Sequence, residues 1–400
     1  MTHPPMSDSQ ARAAALPLAD VPRASDSRGQ RRLAIAGLAA LVAAGCAAPP
    51  GPPTVPVGMG PAEARATVER LLPSSLKDRA GWAADFHMAL VTLALPATPE
   101  NLCAVMAVTE QESGYRADPA VPNLAEIARD EIGRRADALG IPSLAVRAAL
   151  ALRSSDGRSY AERLDAVRTE RQLSELYEDF IDMVPLGRRL LAGHNPVRTG
   201  GPMQVGIDFA ESHAKRRPYP YPVAQSIRRE VFTRHGGLYF GAAHLLDYEA
   251  AYERMIYRFA DFNAGPYASR NAALQSALSV ASGIALALDG DLLPGPGATG
   301  PGQTERAAYA LADRIGMRET AIRRDLERAN AAGLERSPTW QRVFAHADRV
   351  AGKALPRAVV PRIDLKSPKF TRKLTTAWFA DRVQSRHQRC LGRIEAMRAG

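Results

Sequence analysis

Proline and glycine are unevenly distributed along this chain of 400 residues, and their two dense clusters constrain its fold more than any other feature. Residues 46–61 are rich in proline, which keeps a chain extended and stiff, and residues 289–303 are rich in both proline and glycine. Elsewhere, apolar residues recur at spacings of three and four with few β-branched runs, a pattern typical of helices. The sequence therefore predicts a mainly α-helical protein with minimal sheet, interrupted by a tether and a linker.

These two clusters divide the chain into predicted segments. A helical domain spans residues 62–288 and contains a charged helical insertion at 123–199, and a basic helical region follows at 304–400. One helix start is clear at Thr98-Pro99-Glu100, where a capping hydroxyl precedes a proline in the first turn and an acid near the positive end of the helix.

The N-terminus predicts a secretory signal over residues 1–45. Arginines precede the apolar run 33–45, which is shorter than the roughly 20 residues that a bilayer core requires. The sequence Ala43-Ala44-Gly45-Cys46 resembles a bacterial lipobox, in which the signal is cut before a cysteine that carries lipid. The alternatives are an ordinary signal with an incidental cysteine, or a buried N-terminal helix. By resemblance to lipoprotein sorting rules, Ala47 rather than Asp after the cysteine favours the outer membrane. We therefore expect a lipid-anchored protein on the periplasmic face of a bacterial membrane, most consistent with the outer membrane.

The chain is basic, with a formal net charge of +10. Residues 1–45 carry five Arg and three Asp, so the mature chain would keep a charge of +8. Because the expected compartment contains no nucleic acid, nucleic acid is excluded as a partner, and anionic lipid or an anionic polymer remains.

Three cysteines are too few for a disulfide scaffold, and the chain has no C-x-x-C pair or Cys/His cluster, so we expect no metal and no cofactor. If Cys46 is lipidated, Cys103 and Cys390 are left. An oxidising periplasm permits a bridge between them, and a buried free thiol at Cys103 is the alternative.

The first of three motifs ends the helix that begins at Thr98. It spans residues 108–115, and Gly114 is a natural helix stop. Glu112 falls at the edge of the apolar stripe of this helix, where partial desolvation would raise the pKa of its carboxyl toward that of a useful acid. Glu110 flanks the same stripe on its other side, so periodicity does not separate the two acids. A solvated carboxylate at a helix end is the alternative for either.

The second and third motifs are weaker when each stands alone. Residues 200–206 place glycines beside Met203 and Gln204, which suits a turn that brings backbone and an amide to a ligand. Residues 257–266 end a helix at Gly-Pro, with Asn263 in its last turn. Either segment is as readily an ordinary turn or helix end.

In this order, the three motifs resemble the signature of lytic transglycosylases of the lysozyme-like superfamily. Those enzymes carry Glu-Ser at the end of a helix, then Gly-Leu-Met-Gln, then Ala-Tyr-Asn-Ala-Gly. This chain has Glu112-Ser113, Gly201-Pro202-Met203-Gln204 and Asp261-Phe262-Asn263-Ala264-Gly265. The resemblance covers about 95–120 and 199–275, and it implies that the domain at 62–288 is lysozyme-like, an α+β fold with minimal sheet.

The resemblance implies cleavage of the β-1,4 bond between N-acetylmuramic acid and N-acetylglucosamine in peptidoglycan glycan strands. Glu112 would protonate the glycosidic oxygen and then, as a base, take the proton of the muramic C6 hydroxyl, which gives a 1,6-anhydro product. Ser113 would orient Glu112. The other residues expected to form the substrate site are Met203, Gln204, Phe262 and Asn263.

The chain departs from the family pattern in ways that keep other functions open. About ninety residues separate the first two motifs where the family usually has about twenty, Pro202 replaces a leucine, and Phe262 replaces a tyrosine. A catalytically inactive peptidoglycan-binding lipoprotein is one alternative. Another is a hydrolytic muramidase, in which Asp118 or Asp261 would serve as the second carboxylate. A periplasmic assembly factor with accidental motifs is a third.

Basic side chains crowd the last forty residues, with two aromatic residues among them. The basic residues include Arg362, Lys366, Lys369, Arg372, Lys373, Arg382, Arg386, Arg389 and Arg393. One interpretation is a solvated amphipathic helix packed by Trp378 and Phe379. The other is a surface that docks on anionic lipid headgroups or on the carboxylates of peptidoglycan stem peptides.

Overall fold

A computed structural model describes residues 58–400 apart from 184, 185, 187, 188, 190, 296 and 366–372. The predicted signal 1–45, the lipidation site Cys46 and most of the predicted tether therefore lie outside the described residues. The N–H of Met59 donates to the carbonyl of Ala97 at 3.0 Å, so the last part of the predicted tether is already joined to the folded body. Among the described residues, no helix is both long enough and apolar enough to span a membrane.

The described chain is mainly helical, as predicted. Its helices are α1 (Pro61–Leu71), α2 (Arg79–Thr92), α3 (Pro99–Ser113), α4 (Leu124–Ala138), α5 (Ser143–Ala151), α6 (Tyr160–Ala166), α7 (Glu170–Asp182), α8 (Ile207–Arg216), α9 (Ile227–Val231), α10 (Arg234–Leu246), α11 (Met255–Ala264), α12 (Ala268–Ser282), α13 (Gln303–Tyr309), α14 (Glu319–Leu326), α15 (Pro338–Ala351) and α16 (Thr376–Ala399). Short 3₁₀ turns occur at Ala192–His194 and Leu334–Arg336. The strands form two antiparallel pairs, β1 (Thr199–Gly200) with β2 (Val205–Gly206) and β3 (Asp364–Leu365) with β4 (Leu374–Thr375).

The larger hydrophobic core surrounds α10, which is buried along nearly its whole length. Helices α2, α3 and α11 pack against α10, and α16 returns from the end of the sequence to pack against α3 and α11. The fully buried side chains of Phe86, Leu102, Phe240 and Phe259 come from α2, α3, α10 and α11 respectively. The helix that ends at the first motif is therefore held by helices from both halves of the chain.

A second hydrophobic core is formed by α12, α13, α14 and α15. Part of the predicted linker 289–303 packs onto it, because the Gln275 side chain of α12 donates to Asp289 at 2.7 Å and to the carbonyl of Asp291 at 3.0 Å, and Leu292 is buried. The two cores do not follow the predicted domain boundary. Helix α12 of the predicted 62–288 domain joins the second core, and α16 of the predicted 304–400 region joins the first.

Helices α4 to α7 occupy the predicted insertion, and they are joined to the chain near both of its ends. After the first motif, the N–H of Val121 donates to the carbonyl of Arg168 at 2.9 Å, and Asp118 accepts from Thr169 at 3.0 Å and from Arg171 at 2.9 Å. At the other end, α7 packs beside β1. The insertion thus lies next to both the first and the second motif.

A disulfide between Cys103 and Cys390 joins α3 to α16, with Cα atoms 5.6 Å apart. Of the two states that the sequence left open for Cys103, the structure contains the bridge. Because its cysteines lie 287 residues apart, the bridge closes most of the folded chain into one loop.

The double substitution Cys103→Ser and Cys390→Ser should lower the free energy of unfolding by about 3–5 kcal/mol, because the unfolded chain regains the entropy of a very long open loop. Urea denaturation of the oxidised wild type and of the variant measures the difference. Wild type kept reduced with dithiothreitol is the matched control and should behave like the variant. Equal denaturation midpoints for oxidised and reduced wild type would contradict the prediction.

Candidate functional site

Glu112 lies in the last turn of α3, and the ends of this helix are fixed as the sequence predicts. The Thr98 hydroxyl accepts the N–H of Asn101 at 3.2 Å at the start of the helix. At its end, Gly114 and Tyr115 both adopt left-handed backbone conformations, with φ of 58° and 62°, so the chain turns sharply after the helix. Glu112 is half-buried at this turn.

The two acids that the sequence could not separate face different surroundings. Residues two apart on an α-helix point about 200° apart around its axis. The carboxylate of Glu110 points toward α16, where it lies 3.2 Å from Arg386 and 3.9 Å from Arg389. Glu112 therefore leaves the helix on the side away from these arginines, which makes it the better candidate for an acid that meets a neutral glycan.

The hydroxyl of Ser113 is buried and bound to the helix end rather than exposed to a ligand. It donates to the carbonyl of Thr109 at 3.0 Å and accepts the N–H of Arg116 at 3.2 Å. These bonds place Ser113 in the turn that carries Glu112, and the described structure shows no exposed Ser113 hydroxyl for a substrate.

The second motif forms a tight turn between β1 and β2. Gly201 has a φ of 75°, and a Cβ at this position would lie 2.1 Å from the carbonyl oxygen of Val231, so only glycine fits. Gln204 is half-buried and also left-handed, with a φ of 50°. Its amide donates to the carbonyl of Gly201 at 3.2 Å and accepts from Thr199 at 3.4 Å. Left-handed non-glycine residues cluster at functional sites, so Gln204 stays a candidate ligand group.

Met203 is wholly buried, which corrects the expectation that it forms a wall of the substrate site. It packs against α10 at Gly241, where an added Cβ would lie 2.3 Å from the methionine sulfur. Pro202 lies equally close to Gly237, one turn earlier in the same helix. The two glycines therefore let Pro202 and Met203 approach α10 closely.

In the third motif, Phe262 and Asn263 are placed differently. The ring of Phe262 is almost fully buried, 5.1 Å from the ring of His244 and 6.5 Å from that of Phe379. Asn263 is exposed, and its side-chain oxygen accepts from the hydroxyl of Thr376 at 3.0 Å. Of this pair, only Asn263 presents polar atoms to the surface, and it does so beside the start of α16.

Asp261 is buried and accepts four hydrogen bonds that organise the end of α11. The donors are the hydroxyls of Tyr248 and Tyr252 and the N–H groups of Tyr267 and Ser269, at 2.6–3.1 Å. Burial raises the pKa of Asp261, and the hydrogen bond from Tyr252 lowers it in part.

Asp118, as described above, is bound to Thr169 and Arg171 of the insertion. Both carboxylates, Asp118 and Asp261, are therefore engaged by donors within the protein. In the described part of the chain, no group of three His, Cys, Asp or Glu side chains is placed to hold a metal ion.

Sequence reasoning missed His244 and Thr376, which both contact the third motif. His244 packs between Phe209 and Phe262, and its Nε2 lies 3.2 Å from the carbonyl oxygen of Phe262. A carbonyl only accepts, so Nε2 carries the proton, and burial lowers the pKa of the imidazole. The four-residue spacing of Gly237, Gly241 and Leu245 signals the close packing of α10. No local signal exists for Thr376, which meets Asn263 only through folding.

The three motifs therefore converge on one helix. Helix α3 packs against α10, the turn of the second motif rests on Gly237 and Gly241, and the third motif is bound to His244.

Comparison with known proteins gives a family without an assigned activity. The sequence pattern of the family described as "Protein of unknown function (DUF1615)" matches residues 75–393. The Escherichia coli (strain K12) protein named "Uncharacterized protein YaiW" is 50% identical over 354 residues, which cover 88% of this chain and 96% of that protein. No solved structure matches the chain.

The chain should lose stability in mild acid, in part through His244. Because burial lowers the folded-state pKa, the unfolded chain takes up the proton first, and stability falls as the pH falls below the unfolded value of about 6.5. Wild type should have a lower free energy of unfolding at pH 5.5 than at pH 7.5. In His244→Gln this difference should be smaller by up to about 1.4 kcal/mol. Urea denaturation at both pH values measures this. His194→Gln, which replaces an exposed histidine, should keep the wild-type difference, and an equal reduction in both variants would argue against the assignment.

Proposed function

The chain belongs to the DUF1615 family, and from the geometry of its own site we propose that it is a peptidoglycan lytic transglycosylase in which Glu112 is the single acid and base. Its substrate is the glycan strand, cleaved between N-acetylmuramic acid and N-acetylglucosamine to give a 1,6-anhydro end. The proposal rests on the resemblance of the three ordered motifs to this enzyme class.

The observation that carries the proposal is the convergence of these motifs on α10. In sequence they are separated by the insertion and by α8 to α10, yet each contacts the same buried helix. Glu112 lies half-buried at a sharp turn, Gln204 holds a strained backbone conformation, and Asn263 is exposed. An acid, an amide and a second amide supported by a shared scaffold are the groups that the proposed chemistry needs at the surface.

The reaction requires one carboxylate to act twice. Glu112 donates its proton to the glycosidic oxygen as the bond to C1 of the muramic residue breaks, and the substrate's acetamido group stabilises the positive charge at C1. The carboxylate then takes the proton of the C6 hydroxyl, whose oxygen bonds to C1. The proton returns to Glu112, and no water is consumed.

The surroundings of Asp118 and Asp261 favour this route over hydrolysis. A hydrolytic muramidase needs a second carboxylate that faces a water molecule or the substrate. Asp118 is bound to the insertion through Thr169 and Arg171, and Asp261 accepts four hydrogen bonds within the core.

The proposed location follows from the N-terminal sequence. We propose that residues 1–45 are removed as a signal, that Cys46 carries lipid, and that the proline-rich segment after it spaces the folded unit, Val55–Gly400, from the periplasmic face of the outer membrane. Such an anchor would hold the enzyme within reach of peptidoglycan.

A second candidate function, glycan binding without cleavage, is favoured by one observation. Phe262 stands where lytic transglycosylases have a tyrosine, and its ring lies against His244 and Phe379 instead of supplying a hydroxyl to the cleft. If that hydroxyl is needed for turnover, the chain would bind glycan strands and leave them intact.

Digestion of purified sacculi with residues 47–400, followed by mass spectrometry of the products, separates these functions. Wild type should release 1,6-anhydro-muropeptides, and Glu112→Gln should lower the rate by about 10²–10⁴-fold because the proton donor is lost. Glu100→Gln, which changes an exposed acid in the first turn of the same helix, should leave the rate unchanged.

Each other result points to a different conclusion. Reducing muramic ends in place of anhydro ends would indicate a muramidase, and co-sedimentation with sacculi without any product would indicate a binding protein. Activity that survives in Glu112→Gln and is lost in Glu110→Gln would show that Glu110, and not Glu112, is the catalytic carboxylate.

A further inference from the structure

An open cavity of about 590 Å³ lies on the side of α3 opposite Glu112. Its walls are the end of α1 with the turn that follows, the last turns of α3, and the middle of α16. The transglycosylase proposal makes no use of this cavity, because Glu110 lines it and Glu112, two residues later, leaves α3 on the other side.

The cavity is strongly basic. Five arginines line it: Arg70, Arg79, Arg386, Arg389 and Arg393. Glu110 is the one acidic residue among the lining residues, so four positive charges are left without a balancing carboxylate in the lining.

Two of these arginines already have a structural role. Arg393 donates to the carbonyls of Leu71 and Arg70 at 2.7 and 3.1 Å, and Arg79 donates to the carbonyl of Glu69. These contacts satisfy carbonyls at the C-terminal end of α1, where cations are favoured. They also fix the two guanidinium groups at the edge of the cavity, so a ligand would meet them already ordered.

The other arginines are less well satisfied. The Nε of Arg386 lies 3.2 Å from Glu110, but the direction of approach is poor, and this buried donor has no hydrogen bond among the described residues. Arg389 reaches Glu110 only at 3.9 Å, and its side chain is 63% exposed. A buried donor without an acceptor costs free energy that an anionic oxygen would recover.

The floor of the cavity is apolar. It is formed by Leu71, Leu72, Met106 and Ala107, with the disulfide at Cys390 beside them. Tyr115 also lines the cavity, and burial raises the pKa of its hydroxyl. The cavity thus combines an apolar floor with a rim of cationic donors.

We propose that this cavity binds a phosphate-bearing anion through Arg70, Arg386 and Arg389, independently of the glycan site at Glu112. Guanidinium groups donate paired hydrogen bonds to phosphate oxygens. A phosphomonoester or diphosphate carries two or more negative charges in one compact group, which suits a cluster with four uncompensated charges better than a single carboxylate does. Both a soluble phosphate ester and a phospholipid headgroup offer this chemistry.

Isothermal titration of residues 47–400 with inorganic pyrophosphate tests the site, and flotation with vesicles of phosphatidylcholine containing phosphatidic acid tests the lipid source.

Arg389→Gln and Arg70→Gln should each weaken binding about five- to tenfold, since each removes one charged donor at a partly exposed site. Arg398→Gln removes the same charge from an exposed position on α16 outside the cavity, and its Kd should stay within about twofold of wild type. Glu110→Gln should tighten binding several-fold, because it removes the carboxylate that competes for Arg386 and Arg389.

The outcomes divide as follows. If pyrophosphate binds and the variants rank as expected, the ligand is a soluble phosphate ester. If only the vesicles bind and the variants rank as expected, the ligand is a lipid headgroup. Four results would each overturn the proposal. Two concern the variants: an equal loss of affinity in Arg389→Gln and Arg398→Gln, or weaker binding in Glu110→Gln. The other two concern the ligand: equal affinity for citrate and pyrophosphate, or no binding to either probe. Thermal denaturation of every variant checks that a loss of affinity is not a loss of folding. Neither assay uses glycan cleavage, so failure here and failure of the transglycosylase proposal are distinguished.

Discussion

The close packing of the turn at residues 201–204 against α10 is the contact on which the arrangement of the candidate site depends. Gly237 and Gly241 lack side chains where Pro202 and Met203 approach, and Gly201 takes a backbone conformation and a space that exclude a Cβ. A side chain at any of these positions would push the turn away from the helix. Because α3 and the third motif also contact α10, such a shift would separate Gln204 from both other motifs.

Helix α16 adds a second constraint, from the far end of the chain. It packs along α3 and α11 and is joined to α3 by the disulfide at Cys103. Its first residue bonds to Asn263, and its arginines surround Glu110. Lys366, Lys369 and Arg372 of the basic C-terminus lie outside the described residues. In the described part, the start of α16 contacts the third motif, and Arg386, Arg389 and Arg393 form a cationic wall. The disulfide holds both in place relative to α3.

Features set by neighbouring residues could be predicted from the sequence, and features set by distant contacts could not. Thr98 and Gly114 bound α3 as predicted, because a cap and a left-handed stop depend on local hydrogen bonds. The burial of Met203 and Ser113 was not predicted. Met203 is covered by α10, which is distant in sequence, and the hydroxyl of Ser113 is bound to backbone groups of Thr109 and Arg116. The bond from Thr376 to Asn263 joins residues that have no shared local pattern. Likewise, glycine and proline content does not reveal that the Gln275 side chain donates to Asp289 and to the carbonyl of Asp291 at the start of the predicted linker.

The pair Glu110 and Glu112 shows why three-dimensional surroundings decide between two acids that a sequence treats alike. Both flank one apolar stripe at one helix end, so hydrophobic periodicity places them equally. The angle between them around the helix axis then directs one toward the arginines of α16 and the other away from them. A carboxylate held between two guanidinium groups is suited to balance charge and to compete with an incoming anion. The half-buried carboxylate of Glu112 leaves the helix on the other side, where we propose that it exchanges a proton with the sugar. One turn of α3 thereby separates two environments, a cationic cavity and a candidate glycan site, and the buried α10 and the disulfide-linked α16 keep them on opposite sides of the same helix.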